Sequence, residues 1–256
     1  MAWRMKNRVM ARNPTGTRGK RTRAPSRPRA SYPRRWICCD VSYYLGSSLL
    51  YSIEKKAHLN NFLKKGFPNR KLENWKFSDL DQVINKNIGQ LNFHNDFSID
   101  HKLDSSIHTK VFEHNKITIV NGKLQKIDFS YEDKDRIIIT KEKNTINITD
   151  ENSLLSLNNA FNDGSYKIYV KENYNVKKPL VIYHTIDNHT KFTNLNLQLN
   201  FLLDKNSSLR IVDMFQEKSS KNFINIYYNF DLKKNAILKN YKIDNLKNDH
   251  VKYSYN

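Results

Sequence analysis

LNLQLNFLLDKNSSLRIVDMFQEKSSKNFINIYYNFDLKKNAILKNYKI (195–243) is the stretch whose reading decides the fold. It divides into LNLQLNFLL (195–203), SLRIVDMF (208–215), FINIYYNFDL (223–232) and NAILKNYKI (235–243). Each piece alternates apolar and polar residues or runs apolar, as strands do. Asn, Lys, Ser and Asp clusters between them favour turns. YKIYV (166–170) and PLVIYHTI (179–186) extend the series upstream. With Leu180, Leu197, Leu209, Ile226 and Leu238 as markers, the steps are 17, 12, 17 and 12 residues. That long-short alternation predicts strands stacked in a sandwich or in the coils of a β-solenoid. No helical pattern separates these strands, which argues against βαβ units. The sequence runs out in HVKYSYN (250–256), strand-like and without a closing cap, so further rungs are expected beyond it.

Outward from this stretch the pattern changes. Residues 151–162 predict a helix, with Asp150 as N-cap, a stripe of Leu154, Leu155, Leu157 and Phe161, and Gly164 beyond the end. RIIIT (136–140) and INIT (146–149) read as short strands. ITIV (117–120), Asn121-Gly122 and KLQKIDF (123–129) form a hairpin signal, because Asn-Gly supplies the two positive-φ positions of a type I′ turn. Residues 81–110 are weakly patterned and read as a connector with one short helix at most. Residues 47–65 predict a helix through Leu49, Leu50, Ile53, Ala57, Phe62 and Leu63, ended by Gly66 and followed by Pro68.

Charge divides the chain. The 256 residues carry 44 Lys+Arg against 25 Asp+Glu, a net +19. Ten of the Arg, with two Lys and a single acid, Asp40, lie in residues 1–40. The first 45 residues are therefore set apart as a basic, Pro-bearing leader that is disordered on its own. We read it as an extension without a folded role. An Arg-rich transit peptide and a nucleic-acid-binding arm are the alternatives. No secretory apolar core follows the basic start. Ile, Leu, Val and Phe together number 68, enough for a sizeable core. No apolar run approaches the ~18–20 residues of a spanning helix. Only two cysteines, Cys38 and Cys39, exclude a disulfide scaffold and a Cys-rich zinc site.

Chemistry-bearing patterns are sparse. There is no phosphate-binding glycine loop, no nucleophile elbow and no HExxH. His94, His101, His108 and His114 recur at 7, 7 and 6 but read as a solvated connector. His184 and His189, beside Asp187 and Asn188, offer metal ligands that turn composition explains as well. Glu132, Asp133 and Asp135 alternate with Lys134 and Arg136, a compensated turn rather than an acid–base dyad. Tyr227, Tyr228, Tyr241 and Tyr253 lie among Lys233, Lys234, Lys239 and Lys242, a mixture that single-stranded nucleic acid can use. Strand propensity and edge protection account for the same residues.

GFPNRKLENWKFSDL (66–80) resembles the N-terminal signature of SufD, a scaffold subunit of the SUF iron–sulfur cluster assembly machinery. Pro68, Arg70, Lys71, Glu73, Trp75 and Lys76 carry the match, with Gly66, Phe67, Asn74, Phe77 and Leu80. The preceding helix, the Asn121-Gly122 hairpin, residues 153–186 and the strands of 207–243 follow in that family's order. The resemblance spans about residues 47–256, and it implies three parts. Residues 1–45 are the leader, 46–165 an N-terminal α+β region, and 166–256 the first rungs of a right-handed parallel β-helix. It also implies a non-catalytic subunit that pairs with SufB and the ATPase SufC, here as a partial chain. The compartment it implies is a bacterial cytoplasm, or a plastid if the leader is a transit peptide. An iron–sulfur cluster and reduced flavin belong to the whole complex, and no catalytic, cofactor or metal residue transfers to this stretch. The signature residues transfer as structural, with Trp75 expected to anchor the N-terminal region on the body. The rival from another class is a β-rich nucleic-acid-binding module with a basic arm.

Overall fold

The strand alternation organises the structure. A computed structural model describes residues 53–93, 111–143, 152–186, 192–217, 221–245 and 251–255. INIT (146–149), His94, His101, His108, His189, Asp150 and the leader lie outside them. Among the described residues three α-helices, α1 (Ile53–Lys65), α2 (Leu80–Asn87) and α3 (Ser153–Phe161), accompany ten strands. The strands are β1 (Asn115–Val120), β2 (Lys123–Asp128), β3 (Ile137–Glu142), β4 (Ser165–Val170), β5 (Leu180–Ile186), β6 (Asn194–Leu203), β7 (Ser208–Glu217), β8 (Phe223–Leu232), β9 (Ile237–Asn245) and β10 (Val251–Tyr255). The protein is mainly β with an N-terminal helical part. Among the described residues no helix is long and apolar enough to cross a membrane.

Two five-stranded sheets run β2-β1-β5-β7-β9 and β10-β8-β6-β4-β3. From β4 onward, consecutive strands alternate between the sheets; β5 pairs in parallel with β1, and from β6 onward each strand pairs in parallel with the strand two before it. Asn194 pairs with Phe223 and Ser208 with Ile237, an offset of 29 residues in both. The 17- and 12-residue steps read from sequence add up to this offset. Antiparallel pairing is confined to β1 with β2 and β3 with β4. The β1–β2 turn has Asn121 at φ +49 and Gly122 at φ +79, as the hairpin reading requires.

The inward face of both sheets is apolar. Ile168, Leu180, Ile182, Leu197, Leu199, Phe201, Leu209, Ile211 and Ile226 form one buried cluster. Ile117 and Ile119 join it, so a single core runs across residue 165. At one corner Asn173, Asn206 and Asn235 take φ of +55, +54 and +59, a left-handed conformation that Asn tolerates. The Asn206 amide donates to Asn173 (2.9 Å) and the Asn235 amide to Asn206 (3.0 Å), so the corners stack as the strands do.

A second cluster joins helices to sheet edge through Leu59, Phe62, Leu80, Ile84, Leu154, Leu157, Phe161, Phe223 and Val251. The α1 face differs from the expected stripe. His58, Leu59 and Phe62 are buried, while Ile53 is 88% exposed. The cap of α3 is Asn152, whose Oδ1 accepts from the N–H groups of Leu154 (3.0 Å) and Leu155 (3.2 Å). It lies next to the helix, where a capping side chain reaches the free donors of the first turn.

Candidate functional site

The signature segment begins where α1 stops. Gly66, at φ +71, donates its N–H to the Phe62 carbonyl (2.7 Å) and turns the chain. The buried Pro68 accepts at its carbonyl from Leu80 N–H (3.0 Å), which ties the segment's two ends together. Between them Glu73–Trp75 make one 3₁₀ turn, and Asp79 caps α2 by accepting from Gln82 N–H (3.0 Å). Trp75 is half-buried, and its ring meets Tyr253 of β10 at 5.2 Å between centroids. Phe67 packs edge-on against Phe62 and Phe223. Arg70, Lys71 and Glu73 are exposed, and Lys76 bonds Glu73 (2.9 Å).

A polar cluster lies inside the sheet pair, at the end that β9 and β10 form. The alternation that turns Leu209, Ile211 and Phe215 inward also turns Asp213 inward. Asp213 is fully buried and bonds His184 Nε2 at 3.0 Å. The His184 ring stacks flat on Phe215, 4.1 Å away. Asp213 is paired in register with Lys242, and Phe215 with Asp244. From the facing sheet come Tyr228, fully buried, and the inward Lys252 and Ser254 of β10. Lys242 Nζ sits 4.4 Å over the Tyr228 ring and donates to Ser254 Oγ (3.1 Å). Lys252 Nζ lies 3.9 Å over the Phe215 ring and pairs with Asp244.

Burial dominates the protonation of this cluster. It pushes the Tyr228 phenol well above 10, and the Asp213 carboxylate adds to the shift. It lowers the Lys242 ammonium; Asp213 and Asp244 oppose that lowering and Lys252 adds to it. The Tyr228 hydroxyl lies close enough to the Asp213 carboxylate for that contact to add to its shift, yet neither it nor Asp213 Oδ2 makes a hydrogen bond of ordinary geometry among the described residues. The buried His184, Asp213 and Tyr228 thus meet the partly buried Lys252 and the exposed Lys242 and Asp244 beside the apolar inner face. Such a meeting is either a tuned site or a charge-balanced contact between the two sheets.

The sequence reading missed this cluster and dispersed its members. His184 stands in β5 near its end and bonds Asp213, while His189 lies outside the described residues. The cluster's detectable signal was the lone acid in the inward series Leu209, Ile211, Asp213, Phe215. His114 is buried rather than solvated: its Nδ1 lies 2.7 Å from the Phe112 carbonyl and its Nε2 2.7 Å from the Tyr183 hydroxyl. The aromatic–basic mixture does not form one surface. Tyr228 and Lys242 face inward, Tyr253 meets Trp75, Tyr241 is exposed and Lys233 pairs with Asp231. Among the described residues no group of three or more His, Cys, Asp or Glu is placed to hold a metal ion.

The acidic turn proves to be a clamp. Glu132 accepts from Asn115 Nδ2 (2.6 Å), Tyr174 Oη (2.7 Å) and the N–H groups of Lys177 (3.1 Å) and Lys178 (3.0 Å). Burial alone would raise its pKa, but these bonds together hold it below the usual value. Asp133 pairs with Lys177 at 2.6 Å. No protein-family model and no curated protein matches the chain.

Proposed function

We propose that this chain is a scaffold subunit of the SUF iron–sulfur cluster assembly complex, folded as the N-terminal region and first rungs of a right-handed parallel β-helix. It pairs with SufB and the ATPase SufC and works by presenting surfaces, not as an enzyme. The observation that carries the reading is the coupling of two features the resemblance requires together. Strands alternate between two sheets, and those from β6 onward pair in parallel with the strand two before at offsets from 28 residues (Phe223 with Val251) to 33 (Tyr166 with Leu199). The signature segment meets that stack through Trp75 and Tyr253. The stacked Asn corners are what a coiled, rather than sandwiched, connectivity needs at each turn. The cluster is the cargo of the complex, and reduced flavin belongs to the assembled machinery. None of the described residues is assigned to either. The compartment that fits is a bacterial cytoplasm, or a plastid if residues 1–45 serve as a targeting segment.

The test is co-expression with a bacterial SufB and SufC, followed by affinity capture and size-exclusion chromatography. Co-elution that survives raised salt is expected. A chain that elutes alone, and binds single-stranded DNA with a steep salt dependence, would replace this reading with the nucleic-acid module.

A further inference from the structure

The outer faces of the two sheets differ in chemistry. On β6 and β8 the outward positions are mostly amides, Asn196, Gln198, Asn200, Asn225 and Asn229, even where α3 covers Asn225. On β7 and β9 the corresponding positions are Val212, Met214, Tyr241 and Ile243, because Ile211, Asp213, Phe215 and Lys242 turn inward. Register joins these side chains into two rows, Val181–Val212–Tyr241 and Tyr183–Met214–Ile243. At the β5 end both rows are fully buried, and the Tyr183 hydroxyl meets His114 Nε2 at 2.7 Å. At the β9 end Tyr241 is 55% exposed and Ile243 49%. Strand propensity alone does not account for the rows, since the other sheet pairs in the same way with Asn and Gln outward. An apolar face that runs from a covered strand to an exposed one marks where another element packs.

Charge on the same face selects the kind of element. Arg210 and Lys239 are outward on β7 and β9, two residues before the first apolar row, and are register partners. Both are exposed. Arg210 Nη2 donates to the Lys177 carbonyl (3.0 Å), and neither cation forms an ion pair among the described residues. Like charges side by side on adjacent strands repel, so an acid laid against the pair is favoured. Along both strands the order is cation, first apolar row, second apolar row, in steps of about 6.6 Å. A helix advances about 5.4 Å per turn. Three successive turns laid along β7 and β9 therefore present an acid and two apolar residues in matching order. A sheet's face, unlike its edge, is covered by the apolar stripe of a helix.

We infer that the outer face of β7 and β9 is a docking surface for an acidic amphipathic helix of a protein partner. The acids of that helix meet Arg210 and Lys239, and its apolar stripe covers Val212, Met214, Tyr241 and Ile243. The surface is independent of the SUF reading, since it is set by strand register and side-chain chemistry alone.

The experiment is selection, on the full chain, of a displayed library built on a small helical scaffold with one randomised helix face. Enriched members are then expressed and their binding measured by fluorescence anisotropy. An enriched face with Asp or Glu one turn from a stripe of Leu, Ile, Phe or Trp is expected. Tyr241→Thr with Ile243→Thr should weaken those binders about tenfold, the loss typical of anchor contacts, while keeping strand-forming residues in β9. Arg210→Glu with Lys239→Glu should turn a repeated selection toward basic helices. Lys239→Glu alone removes no bond among the described residues, so it spares the fold, and it should weaken the acidic binders about tenfold. Circular dichroism identical to that of the parent chain verifies the fold of each variant. No enrichment, an enriched face without acids, or binders that hold the Tyr241/Ile243 pair or Lys239→Glu as tightly as the parent chain would each overturn the inference.

Discussion

Asn158 is the polar group on which the seating of α3 depends, and replacing it with Ala is the most informative perturbation. The residue is fully buried. Its Nδ2 donates to the Leu197 carbonyl (3.0 Å) of β6 and to the Asn225 carbonyl (2.8 Å) of β8, so one amide spans two adjacent strands. Its Oδ1 accepts from Asn162 Nδ2 (2.7 Å). The Ala variant loses three bonds worth about 1 kcal/mol each, so about 3 kcal/mol of stability is at risk. For a chain of this size that corresponds to roughly 6–12 °C in melting temperature. Leu should not rescue the loss, because it restores volume but leaves the same acceptors without a donor. Urea unfolding followed by circular dichroism gives the midpoint, and an unchanged m value verifies that the unfolded reference is the same. Ser156→Ala is the internal control, since it removes one bond, from Asn61 Nδ2 to Ser156 Oγ (2.7 Å), and should cost about 1 kcal/mol. An Asn158→Ala loss no larger than that of Ser156→Ala would refute the reasoning. The seating of α3 would then rest on Leu154, Leu157 and Ala160 with the remaining bonds to the sheet, from Asn225 Nδ2 to the Leu154 carbonyl (2.9 Å) and from Gln198 Nε2 to Asn159 Oδ1.

Three further outcomes are expected. Glu132 has a native pKa below the ordinary 4.5, so its contribution is present above pH 4.5 and fades as pH falls through the native value. Glu132→Gln should flatten that part of the acid limb in pH-dependent unfolding; an unaltered limb would remove Glu132 as its source. Tyr228 has a native pKa well above 10, so its contribution is complete below pH 10 and lost as pH climbs past it. Tyr228→Phe discards a buried hydroxyl that meets Asp213 only outside ordinary hydrogen-bond geometry and should be neutral to slightly stabilising near neutrality, with a gentler alkaline loss; a loss of several kcal/mol would reveal a strong Tyr228–Asp213 bond. Trp75→Ala should cost about 2 kcal/mol, less than the ~3–5 of a fully buried Trp, because half of the ring is open. Hydrogen exchange should quicken in α1 and α2 and stay unchanged in β6 and β8; uniform protection would deny Trp75 its anchoring role.

Periodicity carried most of the β architecture. The six strand segments read between 166 and 243 are present with ends displaced by a few residues, because a two-residue alternation states which face is inward without any knowledge of the neighbour. The unequal steps between marker residues carried more than they first showed. One step is the passage from one sheet to the other and the next is the return, so only their sum has a structural meaning, as the 29-residue offset. The helix α1 was legible as a helix but not in its orientation. Its apolar residues are few, and tertiary contact chose the face of His58, Leu59 and Phe62 over that of Ile53. Local pattern cannot make that choice, since both faces satisfy a helical spacing.

The interior polar cluster was illegible for a deeper reason. His184, Asp213, Tyr228, Lys242 and Lys252 are scattered over 69 positions and become neighbours only through register, with Asp213 beside Lys242 in one sheet and Tyr228 facing them from the other. Each has an innocent local explanation as a turn residue, an edge guard or a strand former. What marks them is parity. Every one stands at the inward position of its strand, where the preceding strand of the sheet places Ile or Leu, save that Lys242 follows Asp213. A strand whose inward series breaks to a charge tolerates it only if the adjacent strand or facing sheet supplies the counter-charge, because an unpaired ion in an apolar interior costs several kcal/mol. Here the compensation is reciprocal: Asp213 meets His184 and Lys242, and Asp244 meets Lys252. A lone inward acid in an apolar strand therefore predicts a cation or imidazole on the neighbouring strands. Reading Asp213 that way would have singled out Lys242, 29 residues on, from the sequence alone.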